Sequence, residues 1–480
     1  MKKKLGIMTA SFLVAGAMVA SIGLGGCKKT KIYDFDMPEG GYDGSSVEIM
    51  FYNTMGQNFV GYLDSAIERF KGLYPNITVK YDRSAGNYDT LRDNISTEIN
   101  AGVQPNLAFC YPDHVALYNQ SGVVLALDDF MPNGAYSNMT VTNTAGTESL
   151  GLTQAQVNNY IKEYFDEGSA FEDGKLYTLP FAKSTEVMFY NKTFFQAHSD
   201  VLDEPTDYMT WDALFETCRK IKAIAPDCVP LGIDSEANLF ITLCEQSGSA
   251  YTSATGEHFL FDNPTNKAFV QKFKGWYKDE KLFTTEELNE GTYTSNLFIT
   301  QDSYISIGSS AGAQYQVPKM TDGSAPFEVG IVTIPQVNPD KPKSISQGPS
   351  LCIFKQENPQ EVLASWLFAK FITSDLQFQA NYSIQSGYVP VVNSVFENDI
   401  YKAHLAKADG YATGITAFSA NVCKKLVEEK AYYVSPAFLG SSKARDQVGL
   451  LMVDALTGNK SIDDAFADAI YECRFSDIKG

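Results

Sequence analysis

The sequence predicts an α/β protein made of two lobes, and three observations support this prediction. Short apolar runs alternate with amphipathic helical patterns between residues 47 and 111. Strand, helix, strand, helix and strand in that order form a parallel sheet with right-handed crossovers. The chain beyond residue 46 is about 430 residues long, which is enough for two lobes that each bury a core. After the N-terminal segment, no apolar stretch approaches the ~20 residues that a membrane helix requires.

The first sheet is predicted from three apolar runs in succession. The run VEIMFY (47–52) precedes a helical pattern that stops at Pro75, and ITVKYD precedes a second helix that ends at Gly102. NLAFCY supplies the third strand. In parallel sheets, ligands bind at the carboxyl ends of the strands. This rule places four polar or aromatic residues at the binding edge, namely Asn53, Thr54, Tyr111 and Asp113.

Later segments continue the α/β pattern in order along the chain. Residues 187–190 form a strand-like run, and Thr210 precedes a helix whose apolar residues share one face. Further helices are predicted after Pro264, around Leu367 and after the capping residue Ser461. The tryptophans lie on helical patterns, which favours packing in the lobe cores over a stacking platform for a large oligosaccharide; they are Trp211, Trp276 and Trp366.

The N-terminus predicts secretion and a lipid anchor. Three lysines precede an apolar run and small residues, so residues 1–26 have the pattern of a signal peptide. The run ends in Leu-Gly-Gly-Cys, which resembles a lipobox and predicts that Cys27 carries the lipid; the alternative is a plain cleaved signal. Residues 27–46 are predicted to form a flexible tether. We therefore expect a protein at the extracytoplasmic face of a bacterial membrane, held only by its anchor.

Charge and cysteine usage exclude several classes of function. The formal net charge is −19 and becomes more negative when the signal lysines are removed, which argues against nucleic acid and anionic lipid as partners. Seven cysteines follow Cys27 without a C-x-x-C pair, and the four histidines form no H-E-x-x-H motif, so neither a metal nor a cofactor is predicted. Cys218 and Cys228 are close enough in sequence to bridge.

One motif leaves two chemistries open. Residues 308–312, GSSAG, fit the G-x-S-x-G pattern of a serine-hydrolase nucleophile elbow, with Ser310 as the nucleophile. The same segment also fits a strand end and helix start, where hydroxyls and free N–H groups hold a ligand. A triad requires a later histidine, and only His404 follows, within a helical pattern. The sequence therefore favours a binding role for Ser309 and Ser310, with the secreted hydrolase as a remote alternative.

Several stretches, in their order along the chain, resemble the extracellular solute-binding proteins of bacterial ABC importers (family 1, the sugar-binding cluster). They include AIERFKGLYPNITVKY, KLYTLPF, TWDALFETCRKI, SGYVPV and LTGNKSIDDAFADAI. The resemblance implies a two-lobed periplasmic-binding-protein-like fold (type II), hinged around a ligand cleft, with crossings near residues 180, 308 and 350. It implies an N-lobe of residues 47–180 plus 309–350 and a C-lobe of residues 181–308 plus 351–480.

Within that family, the chain resembles the glycerol-3-phosphate-binding branch. The stretches PFAKSTEVMFYNK, GSSAG, QGPSL, SGYVPV, KARDQVGLLMVDALTG and GNYDTL carry this resemblance. They imply ligand contacts from Ser184, Ser309, Ser310, Gly348, Tyr388, Arg445 and Tyr88, with Arg445 as the phosphate-binding arginine. Where the branch has a Tyr-Glu pair after the third strand, this chain has Tyr111-Pro112-Asp113, which weakens the assignment of the ligand.

The sequence therefore predicts a monomeric substrate-binding lipoprotein that catalyses no reaction. It is expected to capture glycerol 3-phosphate or a glycerophosphodiester and to deliver it to an ABC permease. A neutral mono- or oligosaccharide is the alternative solute within the same family. A surface adhesin would not require a hinged cleft.

Overall fold

The computed structural model describes residues 34–318 and 325–476, in which two five-stranded sheets dominate. The strands are β1 (Val47–Tyr52), β2 (Ile77–Asp82), β3 (Leu107–Cys110), β4 (Thr140–Asn143), β5 (Gly146–Ser149), β6 (Leu179–Pro180), β7 (Glu186–Asn191), β8 (Leu231–Ile233), β9 (Phe283–Thr285), β10 (Ile305–Ser309), β11 (Val329–Thr333), β12 (Ser344–Ile345), β13 (Ser350–Ile353) and β14 (Tyr432–Tyr433).

The helices surround both sheets. They are α1 (Val60–Leu73), α2 (Tyr88–Ala101), α3 (Pro112–Tyr118), α4 (Gln154–Asn159), α5 (Lys162–Asp166), α6 (Lys192–Ala197), α7 (Trp211–Ile224), α8 (Glu236–Gln246), α9 (Pro264–Lys274), α10 (Ser295–Thr300), α11 (Pro359–Ser374), α12 (Leu376–Ser386), α13 (Asn393–Phe396), α14 (Asp399–Leu405), α15 (Ile415–Glu428), α16 (Ser441–Thr457) and α17 (Ile462–Ser476). A short 3-10 helix, Ser310–Tyr315, follows β10 directly.

The first sheet has the strand order β2-β1-β3-β13-β6 and forms the first lobe with its helices. Strands β1, β2 and β3 are parallel, whereas β13 joins β3 in the antiparallel sense. Helix α2 begins at Asn87, whose side chain accepts a hydrogen bond from the N–H of Thr90. It ends at Gly102 in the left-handed conformation. The predicted order of three strands and two helices is therefore confirmed.

The second sheet has the order β11-β7-β10-β8-β9 and forms the second lobe. Strands β8, β9 and β10 are parallel, and β7 runs antiparallel to both of its neighbours. Strand β7 is buried on both faces, because Val187 and Phe189 contact one apolar cluster while Met188 and Tyr190 contact the other. This explains why its sequence is a continuous apolar run rather than an alternating one.

The chain connects the two sheets at three places in the described residues. Residues 181–185 lead from β6 to β7, and residues 346–349 lead from β12 to β13. These two segments run side by side, with the N–H groups of Ser184 and Gln347 each donating to the other's carbonyl at 2.9 Å. The third connection follows α15 and includes β14, which pairs with β12. We call these three segments the hinge.

This arrangement corrects the lobe boundaries expected from the sequence. Residues 309–350 were expected in the N-lobe, but β10 and β11 both pair with β7 in the second sheet. Residues 351–480 were expected in the C-lobe, but β13 and α11 pack in the first lobe, and only the chain after α15 returns to the second. The crossing expected near residue 308 lies near residue 430 instead. Strand pairing depends on distant residues, so local patterns do not reveal it.

The N-terminal predictions fall partly outside the described residues. The signal peptide (1–26), the lipidation site Cys27 and the tether up to residue 33 lie outside them. The rest of the tether, residues 34–46, is packed rather than free. The ring of Phe35 lies 6.4 Å from that of Phe130, and Tyr42 is buried against Tyr74. Burial of aromatic surface holds this segment on the first lobe, which corrects the expectation of a flexible linker.

The tryptophans and the cysteines lie in the buried cores of the two lobes. Trp366 is buried in the first lobe, and Trp211 and Trp276 are buried in the second, as the helical patterns predicted. All seven cysteines after residue 33 are buried, and Cys218 and Cys228 form no disulfide. No helix among the described residues is both long and apolar enough to cross a membrane.

A glycine substitution tests how tightly the hinge segments pack. Gly348 has a φ of +91°, and a Cβ atom there would lie 2.3 Å from the carbonyl oxygen of Ala182. Gly86 has a φ of +75° but open space around its Cα, so Gly86→Ala isolates the backbone strain. We expect Gly86→Ala to lower the free energy of unfolding by about 1 kcal/mol. Gly348→Ala should lower it by about 2 kcal/mol more, because of the clash. Equal losses in urea titrations would contradict this account.

Candidate ligand cleft

The cleft lies where strand ends of the two sheets face each other. Thr54 follows β1 and Tyr111 follows β3 in the first lobe, whereas Asp234 follows β8 and Ser309 ends β10 in the second. The carboxyl ends of parallel strands are where α/β folds bind ligands. The cleft is therefore built from both lobes, and a bound molecule contacts both.

One part of the cleft, which we call the polar chamber, has a volume of about 300 Å³. It is defined by Tyr88, Tyr111, Asp113, Tyr251, Arg445 and Asp446. The hinge residues Ile345, Ser346 and Gln347 also line it. The hydroxyls of Tyr251 and Thr252 are buried and have no hydrogen-bond partner among the described residues. Buried polar atoms are normally paired, so these two hydroxyls indicate a place for a polar ligand.

Arg445 reaches the polar chamber from helix α16. Its guanidinium donates to the side-chain oxygen of Asn238, and the amide nitrogen of Asn238 donates to Glu186 at 2.9 Å. Glu186 is buried, and this burial raises the pKa of its carboxyl to about 7; the nearby positive charge of Arg445 acts in the opposite direction. The arginine is therefore held in place by a buried amide and carboxyl before any ligand arrives.

A group of hydroxyls lies on the opposite wall, at the start of α2. The hydroxyl of Tyr88 lies close to those of Thr54 and Tyr388. The ring of Tyr88 packs edge-on against that of Tyr111, with centroids 4.9 Å apart, and the main chain of Gly348 lies close to the Tyr111 hydroxyl. Burial raises the pKa of both tyrosines well above the usual range. Both therefore stay neutral and able to donate hydrogen bonds.

Carboxylates surround Arg445 in the polar chamber. Asp113 lies at the first turn of α3 and accepts the N–H of His114 at 3.0 Å, while burial lowers the pKa of His114 and keeps that ring neutral. Asp89 pairs with Arg92 at 3.0 Å. Asp446 lines the same chamber. The chamber thus offers both acceptors and donors, with carboxylates in the majority.

The floor of the cleft is a buried ion pair in the hinge. Lys183 is completely buried, and its ammonium lies 2.6 Å from Glu167. It also donates to the carbonyl of Gly348 and the hydroxyl of Ser350, each at 3.1 Å. Glu167 accepts a further hydrogen bond from Ser346 and lines the polar chamber. All three ammonium protons therefore have an acceptor, which is what allows the charge to be buried.

The second part of the cleft, which we call the aromatic chamber, has a volume of about 630 Å³. It is defined by Phe59, Asp234, Tyr293, Tyr315, Gln316 and Tyr388. Tyr88 lines this chamber as well as the polar one. Tyr388 stacks on Tyr382, with ring planes 11° apart. The two chambers together have the size and mixed character of small-molecule sites.

The structure brings seven of the eleven predicted site residues to the cleft surface. Thr54, Tyr88, Tyr111, Asp113, Ser309, Tyr388 and Arg445 line one chamber or both. Their contact with a ligand stays a prediction.

The other four predicted residues, Asn53, Ser184, Ser310 and Gly348, line neither chamber. Asn53 is buried and accepts the N–H of Met55, and Ser184 pairs its main chain with Gln347 in the hinge. Gly348 packs against Ala182. Ser184 and Gly348 are thus packed into the hinge, whereas the amide nitrogen of Asn53 is buried without a hydrogen-bond partner among the described residues.

Ser310 is placed for structure rather than catalysis. It is fully buried, its hydroxyl accepts the N–H of Thr185 at 3.1 Å, and its carbonyl accepts the hydroxyl of Ser419. His404 lies in α14, where its ring packs 5.8 Å from that of Tyr401. A nucleophile has to be accessible to its substrate and close to a base. This geometry corrects the hydrolase alternative as well as the expected ligand contact of Ser310.

Several cleft residues were missed by the sequence reasoning. Asp234 directly follows the apolar run of β8, so the rule that identified the ends of β1 and β3 would have found it. Tyr293 lies in an irregular segment and Tyr315 at the end of the short 3-10 helix, and neither segment has a hydrophobic periodicity that would identify it. Glu186 and Asn238 act through Arg445, and only the fold brings them together.

Comparison with known proteins identifies the family. Residues 65–408 match the family described as "Bacterial extracellular solute-binding protein". The chain belongs to this family. The family consists of substrate-binding components of transporters and not of enzymes, and membership implies a location outside the cytoplasm. The resemblance seen in the sequence and the two-lobed fold that it implied are confirmed.

Individual relatives of this solute-binding family are distant in sequence. The maltotriose-binding protein of Pyrococcus abyssi is 20% identical over 361 residues, covering 74% of this chain and 68% of its own. The arabinooligosaccharide-binding protein of Bacillus subtilis is 23% identical, covering 57% of this chain and 55% of its own. The structure of UgpB from Mycobacterium tuberculosis in complex with glycerophosphocholine has a TM-score of 0.70 at 17% identity, covering 91% of this chain and 99% of its own.

The buried carboxyl behind Arg445 predicts a pH-dependent stability. Because the pKa of Glu186 rises from 4.5 to about 7 on folding, the folded protein holds more protons than the unfolded chain in this range. Stability is therefore highest below the unfolded pKa and is lost as the pH rises through 7. Relative to Glu186→Gln, the wild type should lose about 3 kcal/mol between about pH 5 and pH 8.

This difference is measured by urea unfolding of both proteins across the pH range. Glu216→Gln, which changes an exposed glutamate on α7, is the matched control and should show no such trend. If wild type and Glu186→Gln keep a constant difference at every pH, the carboxyl is not perturbed by burial.

Proposed function

We propose that this protein captures a neutral carbohydrate in the cleft and delivers it to an ABC permease. The observation that carries the proposal is the charge balance of the polar chamber. Arg445 shares the chamber with the carboxylates of Asp113 and Asp446, so the surroundings of the guanidinium are acidic. Carboxylates accept sugar hydroxyls, while arginine and tyrosine donate to sugar oxygens. The two relatives that are named for oligosaccharides support this solute class.

A glycerophosphodiester is the second candidate, and two observations favour it. Arg445 lines the polar chamber, and arginine forms strong charge-assisted bonds with phosphate. The UgpB structure, which contains glycerophosphocholine, shares the fold. Against it, a phosphate group would share the polar chamber with the carboxylates of Asp113 and Asp446, and like charges repel.

Transport would proceed by closure of the two lobes on the solute. Because each chamber has walls from both lobes, a bound molecule makes more contacts when the cleft is closed. A ligand shifts such an equilibrium by its differential affinity for the closed state. The hinge segments are the places where the backbone would bend. We further propose that the protein acts as a lipid-anchored monomer.

Titration calorimetry of the purified protein separates the two solute classes. We expect maltotriose or an arabino-oligosaccharide to bind, and glycerol 3-phosphate and glycerophosphocholine not to bind. Arg445→Ala should weaken sugar binding about tenfold, since it removes a single hydrogen-bonding group. A phosphodiester ligand would instead lose about a hundredfold or more, because its charge would become unpaired.

Arg219→Ala is the matched control for this experiment. Arg219 lies on the exposed side of α7, where it pairs with Glu216 and Glu280 outside the cleft. Its replacement should leave affinity unchanged. If glycerophosphocholine binds and none of the sugars does, the carbohydrate proposal is rejected and the second candidate is supported.

The anchor is tested on the intact precursor in cells. We expect Cys27→Ser to move the protein from the membrane fraction to the medium, because the thiol is the atom that would carry the lipid. The buried Cys218→Ser is the control and should remain in the membrane fraction. Retention of Cys27→Ser at the membrane would contradict the lipid anchor.

A further inference from the structure

The aromatic chamber is larger than the polar chamber and differs from it in chemistry. Phe59 and Tyr388 form its wall in the first lobe, and Phe59 packs edge-on against Tyr382 with centroids 5.7 Å apart. Tyr293 and Tyr315 form its wall in the second lobe and are 61% and 66% exposed. Large exposed rings on opposite walls of a cleft provide faces on which a flat, partly apolar molecule stacks.

Polar groups at the back of the chamber give it a hydrogen-bonding end. The Oδ1 atom of Asp234 accepts hydrogen bonds from the N–H and the hydroxyl of Thr294, at 2.9 and 2.7 Å. A Cβ atom on Gly308 would lie 2.4 Å from the Oδ2 atom of Asp234 and 3.5 Å from the amide nitrogen of Gln316. The glycine thus allows the carboxylate and the amide to approach the same strand end.

The side chain of Gln316 has an unpaired hydrogen-bond acceptor at the back of the aromatic chamber. Its side-chain oxygen is buried and has no hydrogen-bond partner among the described residues. An unpaired buried acceptor costs free energy, so a donor from a ligand would be stabilising. A carboxylate and an amide side by side are suited to neighbouring hydroxyl groups, which can both donate and accept.

The charge of the chamber excludes an anion. Asp234 is the one charged residue among the described residues that line it, and no lysine or arginine is among them. Burial raises the pKa of Asp234, as expected for a carboxyl without a cationic partner. A phosphate or carboxylate here would meet a negative charge without compensation. The chamber is therefore suited to an uncharged ring that carries hydroxyls.

From these observations, we infer that the aromatic chamber is a second sugar subsite, in which Tyr315 and Tyr293 stack on one glycosyl unit and Asp234 and Gln316 bind its hydroxyls. The inference rests on the proposed function. Tyr88 lies between the two subsites, because it lines both chambers. The ligand then has at least two sugar units, one on each side of Tyr88. A monosaccharide occupies the polar chamber alone.

Chain-length dependence of binding tests this inference. Affinities are measured by calorimetry for glucose, maltose and maltotriose, and for arabinose and its di- and trisaccharides, on the whole protein. We expect the wild type to bind the disaccharide of one series more tightly than the monosaccharide. Tyr315→Ala and Tyr293→Ala should each weaken di- and trisaccharide binding about fivefold to tenfold, and leave the monosaccharide unaffected. Tyr315→Phe should bind as the wild type does, since it keeps the ring.

Tyr471→Ala is the control for aromatic loss, because Tyr471 is exposed on α17 and lies outside both chambers. Equal affinities for all chain lengths, or a loss in Tyr315→Ala that is the same for mono- and disaccharides, would overturn the second subsite while the proposed function stands. Failure of every sugar to bind would overturn both.

Discussion

The ammonium group of Lys183 lies where the chain passes from the first sheet to the second, without contact with solvent. A buried charge is tolerated only when its hydrogen-bonding and ionic partners are all present. Here the ammonium pairs with Glu167 and donates hydrogen bonds to Gly348 and Ser350. These three acceptors belong to three different parts of the chain: the end of the first lobe's N-terminal half, the returning hinge segment and strand β13. The ion pair of Lys183 and Glu167 therefore requires that the segments that cross between the lobes keep their positions relative to one another.

The shape of the cleft follows from this constraint. Because Ser346 also donates to Glu167, the segment that lines the bottom of the polar chamber is bonded to the same carboxylate. The main chain of Gly348 also lies close to the hydroxyl of Tyr111, so the floor of the cleft adjoins the wall of the first lobe. The second lobe's wall is fixed separately, through Arg445, Asn238 and Glu186. In the proposed closure, hinge motion would change the distance between two walls that are each held in place by their own contacts.

The sequence predicted the structural features that depend on residues close to one another in the chain. The strands of the first sheet and the helix cap at Gly102 follow from local periodicity and turn chemistry, so the ends of β1 and β3 were placed at the cleft correctly. Strand β11 was assigned to the other lobe, since a five-residue apolar run has the same pattern in either sheet. Ser184 and Ser310 have residue types suited to ligands, but their hydrogen bonds to the hinge backbone arise only after folding. The pairing of Lys183 with Glu167 is likewise invisible without the fold.

The proposal of a neutral solute rests on how the cleft pairs its own charges. Glu167 is neutralised by Lys183, and Asp89 by Arg92. Arg445 is linked through Asn238 to Glu186, whose carboxyl titrates near neutral pH. An anionic solute would have to compete with these internal partners, and it would face Asp113 and Asp446 unaided. A neutral solute with many hydroxyls needs no such rearrangement, because it completes the open hydrogen bonds of Tyr251, Thr252 and Gln316 without altering any charge.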